Sequence, residues 1–157
     1  MADRPPGEPV QRLIDRHRLQ PHPEGGWYRE THRSPITIPR AALPGEYAAE
    51  PDVRCAVTSI LFLLPTGARS RPHRIQSEEI WLHHQGDDLR LCLAAASDMM
   101  NADQLRLGQN ADAHLQVVVP RRHWQAADAL PGSHGYALVA CVVAPGFEFA
   151  DFELSAG

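Results

Sequence analysis

The chain has 157 residues, 43% of them hydrophobic, which suits one compact domain around a single core. Its formal net charge is −4, from 15 basic and 19 acidic side chains, so bulk charge supplies no reason to hold nucleic acid. No run reaches the ~18 apolar residues of a membrane span, and the opening MADRPPGEPV lacks the apolar stretch of a secretory signal.

Residues 1–8 are polar and rich in proline and glycine, and are expected to be disordered. The rest, 9–157, reads as one domain. Val10, Leu13, Ile14 and His17 follow the spacing of a short amphipathic helix with Pro9 in its first turn, ending near Leu19 before Pro21 and Pro23. HPEGGWYRETHRS comes next. Its two glycines break the chain, and WYRETHRS then reads as a strand with Trp27, Arg29 and Thr31 on one face and Tyr28, Glu30 and His32 on the other. Polar groups on both faces suit an edge or dimer-interface strand as well as a pocket wall.

Residues 35–54 hold few strand formers apart from Ile36–Ile38, and read as a long, mobile connection. AVTSILFLL, EEIWLHH and LRLCLAA are strands, with Gly86-Asp87-Asp88 as a hairpin turn between the last two. Further strands are expected at QLRLG, HLQVVVP, HWQAA and YALVACVVAP, and a bent one at GFEFADFEL. Short strands between Gly/Pro turns, with one helix, predict an antiparallel sandwich or barrel. Cys92 and Cys141 lie in the apolar runs LRLCLAA and LVACVVA, where a thiol acts as a small hydrophobe. Unpaired thiols favour a reducing, cytoplasmic location.

The chemistry concentrates in GARSRPHRIQSEEIWLHHQG, where His73 follows Gly67 by six residues, Glu79 follows by six more, and Gly86 by seven. This resembles the first motif of the cupin superfamily, except that Ile75 stands where a second histidine belongs. Four segments in order, HPEGGWYRETHRS, TSILFLLPTGARSRPHRIQSEEIWLHHQGD, QVVVPRRHWQAA and LVACVVAPGFEFADFEL, resemble those of the family called Cupin_5. That resemblance implies an all-β, double-stranded β-helix (the cupin jelly roll), usually a homodimer, with a pocket in the barrel mouth. It also implies a likeness of shape to the deoxysugar-nucleotide epimerases of the superfamily, which by itself does not carry function.

Metal-dependent cupins use two histidines and a glutamate from the first motif and a histidine from the second. Here the second motif, counted from Pro120, lands on Gln125, with Arg122 at the glycine's place and His123 two residues before Gln125. His73, Glu79 and Gln125 are the candidate metal ligands, a weak set because an amide oxygen is neutral. No cofactor is required on this reading, and a divalent metal would be weakly held. His73 and Glu79 are then the candidate catalytic acid–base pair, able to move a proton next to a carbonyl. Tyr28, Arg29, Glu30, Trp81, His123 and Gln125 are the candidate substrate-binding groups. A small-molecule isomerase, epimerase or lyase is the leading function. A non-catalytic metabolite binder and a metal-dependent cupin enzyme are the alternatives. Each tryptophan, and the His73–Glu79 pair itself, also has a purely structural reading.

Overall fold

The computed structural model describes residues 7–156. The expected disorder of the N-terminus therefore lies outside the described residues up to 6, while Glu8 already belongs to the helix. That helix, α1 (Glu8–His17), buries Val10, Leu13 and Ile14, which pack on Leu63 and Leu138 of the barrel's outer face. It ends at Arg18, in the left-handed conformation, with the Leu19 N–H donating to the Ile14 carbonyl at 2.9 Å.

Thirteen strands follow among the described residues. The first four are β1 (Gln20–Pro21), β2 (Trp27–Arg33), β3 (Thr37–Pro39) and β4 (Val53–Cys55). The barrel continues with β5 (Thr58–Pro65), β6 (Arg69–Arg74), β7 (Glu78–Gly86), β8 (Leu89–Ala94) and β9 (Asp103–Leu107). It closes with β10 (Gln116–Val119), β11 (Trp124–Ala129), β12 (Tyr136–Ala144) and β13 (Glu153–Leu154). One sheet runs β1-β2-β5-β12-β7-β10, the other β13-β6-β11-β8-β9, and β3-β4 form a separate ribbon. All these pairings are antiparallel. The two sheets enclose Phe62, Leu64, Leu89, Leu91, Val119 and Val139, the apolar half of each alternating strand. This is the jelly roll that the family resemblance implies, and the antiparallel barrel that the strand pattern predicts.

Three local expectations are corrected. Gly86-Asp87-Asp88 is not a hairpin turn, because β7 and β8 belong to different sheets. The segment is a corner between them, held by its carboxylates. Asp87 accepts from the backbone N–H of Gly135 at 2.7 Å, and Asp88 from Arg106 at 2.5 Å and Asn110 at 2.6 Å. The connection over residues 35–54 is anchored rather than loose. Arg54, fully buried, makes a two-pronged pair with Asp151 (2.7 and 2.9 Å), and Asp151 also accepts from the Ala48 N–H. The last segment is a 3-10 turn (Phe149–Asp151) before the short β13, where a single bent strand was expected.

Candidate functional site

His73 on β6 and Glu79 on β7 come from opposite sheets and enter the same space, a cavity of about 250 Å³ at one end of the barrel. Both side chains are almost wholly buried, with Ile75, Cys141 and Phe62 among the apolar groups around them. Alternation along β7 brings Trp81 and His83 inward after Glu79 and leaves His84 exposed.

Gln125 lies beside His73 in the register of β6 and β11. The Trp81 indole N–H donates to its Oε1 at 2.8 Å, and its Nε2 donates to Glu79 Oε2 at 2.5 Å. An indole nitrogen can only donate, so the amide has one orientation and presents its NH₂ to Glu79. Burial pushes the Glu79 carboxyl up to about 7. His73 and the Gln125 amide hold it down in part, while Glu24 raises it further. Burial also pushes the neighbouring Cys141 thiol up, so it stays protonated beside Glu79.

The residue that sequence reasoning missed is Glu24. Gly25 and Gly26 have φ of +112° and +74°, and a Cβ on Gly25 would lie 2.2 Å from the Arg69 carbonyl oxygen. The pair of glycines thus lets the turn after β1 lie flat against β6. Arg71 N–H donates to the Glu24 carbonyl at 2.8 Å, and the Glu24 side chain points into the cavity. Its Oε1 accepts from Ser70 Oγ at 2.8 Å, and its Oε2 stands 3.0 Å from His73 Nε2.

The protonation follows from the partners. His73 Nδ1 contacts the Arg71 carbonyl at 2.8 Å, and a carbonyl only accepts, so Nδ1 carries a hydrogen. The Nε2–Oε2 contact then needs one proton, on either atom. Burial pushes Glu24 up to about 8, against the Ser70 hydrogen bond and Arg71, and burial lowers His73 despite Glu79. At neutral pH the proton therefore rests on Glu24. His22 accepts from the Glu24 N–H through Nδ1 at 3.2 Å, and burial, then His73, lowers it to about 4. It too is neutral.

Tyr28 and Glu30 line the cavity from β2, as the alternation predicts. Arg29 does not, since its guanidinium reaches out to the His17 carbonyl at 3.4 Å. A β-bulge between Glu30 and His32 instead brings Arg33 onto the Glu30 face, where the two pair at 2.8 Å. Arg33 also pairs with Glu148 at 2.8 Å, tying β2 to the aromatic segment Phe147, Phe149 and Phe152 over the cavity mouth. Three other expectations are corrected. Trp81 is core beneath the cavity, 1% exposed and bonded to Gln125, so it is not a wall for a ligand ring. His123 sits in the turn before β11, its Nδ1 near the Arg121 carbonyl, and is absent from the lining. Gln125 is buried behind Glu79, where it positions that carboxyl without lining the cavity.

A family model, Cupin_5 (Cupin superfamily, DUF985), matches residues 11–155. The chain belongs to Cupin_5. An uncharacterized protein of Saccharomyces cerevisiae, YML079W, is 28% identical over 152 residues, spanning 93% of this chain and 75% of that protein. A hypothetical protein from Leishmania major has a solved structure with TM-score 0.75 and 32% identity, covering 91% of this chain and 85% of that one. The protein SO0799 of Shewanella oneidensis also gives TM-score 0.75 and 32% identity, covering 92% and 82%. Enzymes share the fold at lower identity. Cellulomonas parahominis L-ribose isomerase has 15% identity and TM-score 0.55 over 77% of this chain and 61% of its own. Bacillus subtilis oxalate decarboxylase has 16% and 0.55 over 85% and 29%.

The cupin alignment can be checked against the backbone. Arg122, at the glycine's place in the second motif, has φ +61°, the left-handed conformation that a glycine favours. The metal positions of the superfamily are then His73, Ile75, Glu79 and Gln125, and these residues do not suit a transition metal. Ile75 has no lone pair, Gln125 directs its NH₂ inward, and the Nε2 of His73 is engaged by Glu24. Among the described residues no three His, Cys, Asp or Glu side chains are grouped as a metal's ligands.

Proposed function

We propose that this Cupin_5 protein is a small-molecule enzyme of the isomerase, epimerase or lyase type, acting by proton transfer. The observation that carries the reading is a buried carboxyl, Glu79, facing the paired Glu24 and His73 within one cavity. Glu79, positioned by Gln125, takes a proton from the carbon next to a carbonyl. The Glu24–His73 dyad gives its single proton to the carbonyl oxygen, which becomes the hydroxyl of an enol. The dyad then takes back the enol hydroxyl proton as Glu79 returns its proton to carbon, completing an isomerisation. In an elimination it takes that proton back as a leaving group departs from the neighbouring carbon, with the other proton held by Glu79. Pushing two carboxyls up toward neutrality is how a site runs acid and base chemistry together.

The reading is tested by deuterium wash-in. A panel of small aldoses and ketoses is incubated with the protein in D₂O, and carbon-bound proton loss is followed by NMR. Exchange with at least one compound, lost in Glu79→Gln, is the expected result. Binding without exchange across the panel would make the protein a metabolite-binding cupin instead. A twofold dimer acting in the cytoplasm remains part of the proposal. Among the described residues, no helix is long and apolar enough to cross a membrane.

A further inference from the structure

The charged groups around the cavity are unequal in a way that bears on what enters it. Four carboxyls, Glu24, Glu30, Glu79 and Glu148, line it against a single guanidinium, Arg33. A guanidinium has five N–H donors, and those of Arg33 are all engaged. Nε donates to Glu30 Oε1 at 2.8 Å, and Nη2 to Glu30 Oε2 at 2.9 Å and the Phe147 carbonyl at 3.1 Å. Nη1 donates to Glu148 Oε1 at 2.8 Å and contacts Cys55 Sγ at 3.6 Å.

A carboxylate or phosphate group entering the mouth therefore finds no open fork of donors, which is the usual means of holding such groups. It would meet two carboxylates that repel it and a low-dielectric interior that penalises an unpaired charge. Glu30 and Glu148 each keep spare lone pairs after binding Arg33, so they can accept hydrogen bonds from a ligand. Size narrows the class further. The cavity, about 250 Å³, lies just below the ~300–1,000 Å³ of ordinary small-molecule pockets. That suits a ligand of monosaccharide size better than a sugar nucleotide.

We propose, resting on the acid–base reading of this cavity, that it selects molecules of monosaccharide size bearing no anionic group. They are met at the Glu30–Arg33–Glu148 rim by hydroxyl or ammonium donors. Glu148 is the specificity-determining residue, because it occupies the Nη1 edge of Arg33 that an anion would need. The likeness in shape to nucleotide-sugar epimerases accordingly does not extend to their ligands.

The experiment measures binding by calorimetry and ligand-detected NMR with the full chain at pH 7. The panel consists of aldopentoses and aldohexoses, each with its amino sugar, its uronic acid and its phosphate ester. Neutral or amino members should bind at least about tenfold more tightly than their acidic counterparts. Glu148→Ala should narrow that gap by about tenfold, the worth of one charge-assisted hydrogen bond. An acid or phosphate that binds as tightly as its neutral parent would overturn the inference, as would failure of every panel member to bind. Deuterium wash-in on the same samples separates this inference from the catalytic reading. Neutral binding without exchange leaves the selectivity standing and removes the enzyme, whereas exchange confined to an anionic member does the reverse.

Discussion

Nε2 of His73 stands 3.0 Å from Oε2 of Glu24 with one proton between them. Burial leaves it on Glu24, against the pull of the neighbouring hydrogen bonds. Arg71 takes the Nδ1 hydrogen of His73, and Ser70 occupies the other oxygen of Glu24. Glu24→Gln keeps the shape and the Ser70 contact but cannot surrender a proton. Deuterium wash-in should fall by about a hundredfold or more in this variant, the usual worth of a positioned acid, while ligand binding changes little. Wild-type exchange rates in Glu24→Gln would remove the dyad from the mechanism.

The pH dependence of turnover should be a narrow bell. Glu79 must be ionised to accept a proton, so activity rises through its value of about 7. Glu24 must be protonated to donate one, so activity falls through about 8. The two flanks belong to the coupled groups together. In Glu24→Gln the residual activity should lose its alkaline flank and keep the acid one. A profile flat from pH 6 to 9 would contradict both assignments.

Stability should also fall as pH rises. Glu24 and Glu79 have folded-state values raised above the unfolded 4.5, so their contribution is intact below that value and is lost as pH climbs toward 7 and 8. His22, lowered from 6.5 to about 4, acts in the opposite sense, and its contribution is lost only as pH falls below 6.5. His73, also lowered, acts like His22, and above pH 6.5 the raised carboxyls outweigh both. One native-state proton costs about 1.4 kcal/mol per pH unit, so Glu24 alone removes about 2 kcal/mol between about pH 6.5 and 8. Urea unfolding at the two pH values should show the loss in wild type and a smaller one in Glu24→Gln. Equal losses in both would refute it.

Metal removal is expected to leave turnover intact, because two of the four superfamily positions offer no ligand. Dialysis against a chelator followed by the wash-in assay checks this. The converse is also measurable. The double substitution Ile75→His with Gln125→His supplies both missing imidazoles, and should bind zinc or nickel one to one where wild type binds weakly. Stoichiometric metal in tag-free wild type, with activity lost on chelation, would return the protein to the metallocupins.

A twofold dimer is expected, with β2 at or near the interface. The short β1 covers β2 only at Trp27 and Tyr28, which leaves the backbone of residues 29–33 as an open sheet edge. Light scattering at micromolar concentration should give twice the chain mass of 17.4 kDa. A proline in place of Thr31, within that edge, should shift the mass toward the monomer. A monomeric wild type would end this expectation.

The barrel could be read from the chain because alternation and glycine spacing are local signals. Gly67, His73, Glu79 and Gly86 placed His73 and Glu79 correctly for the same reason. What stayed hidden depends on packing between distant segments. Glu24 looks like an ordinary loop acid until Gly25 and Gly26 are seen pressed against β6. Arg29 and Arg33 exchange roles because one bulged residue reverses the alternation, and no composition signal marks that bulge. Gly86-Asp87-Asp88 has the makeup of a hairpin turn, but the choice of strand partners across the barrel makes it a corner. Trp81 shares the phase of Glu79 along the strand, which makes it a binding candidate in the sequence. The depth at which it meets Gln125 is a tertiary fact.

The fixed orientation of Gln125 has a stereochemical consequence. Its NH₂ always occupies Oε2 of Glu79, so any proton on that carboxyl sits on Oε1. Under the proposed chemistry, a planar enol lying between the sheets meets Glu79 from the β7 side and the Glu24–His73 dyad from the β6 side. A proton that leaves to Glu79 and returns from Glu79 restores the original handedness of the carbon. Mirror inversion requires the dyad first to recover its proton from the enol oxygen and then to deliver it to the opposite face of the carbon. Whether the product keeps or reverses its configuration would therefore reveal which wall of the barrel delivers the second proton.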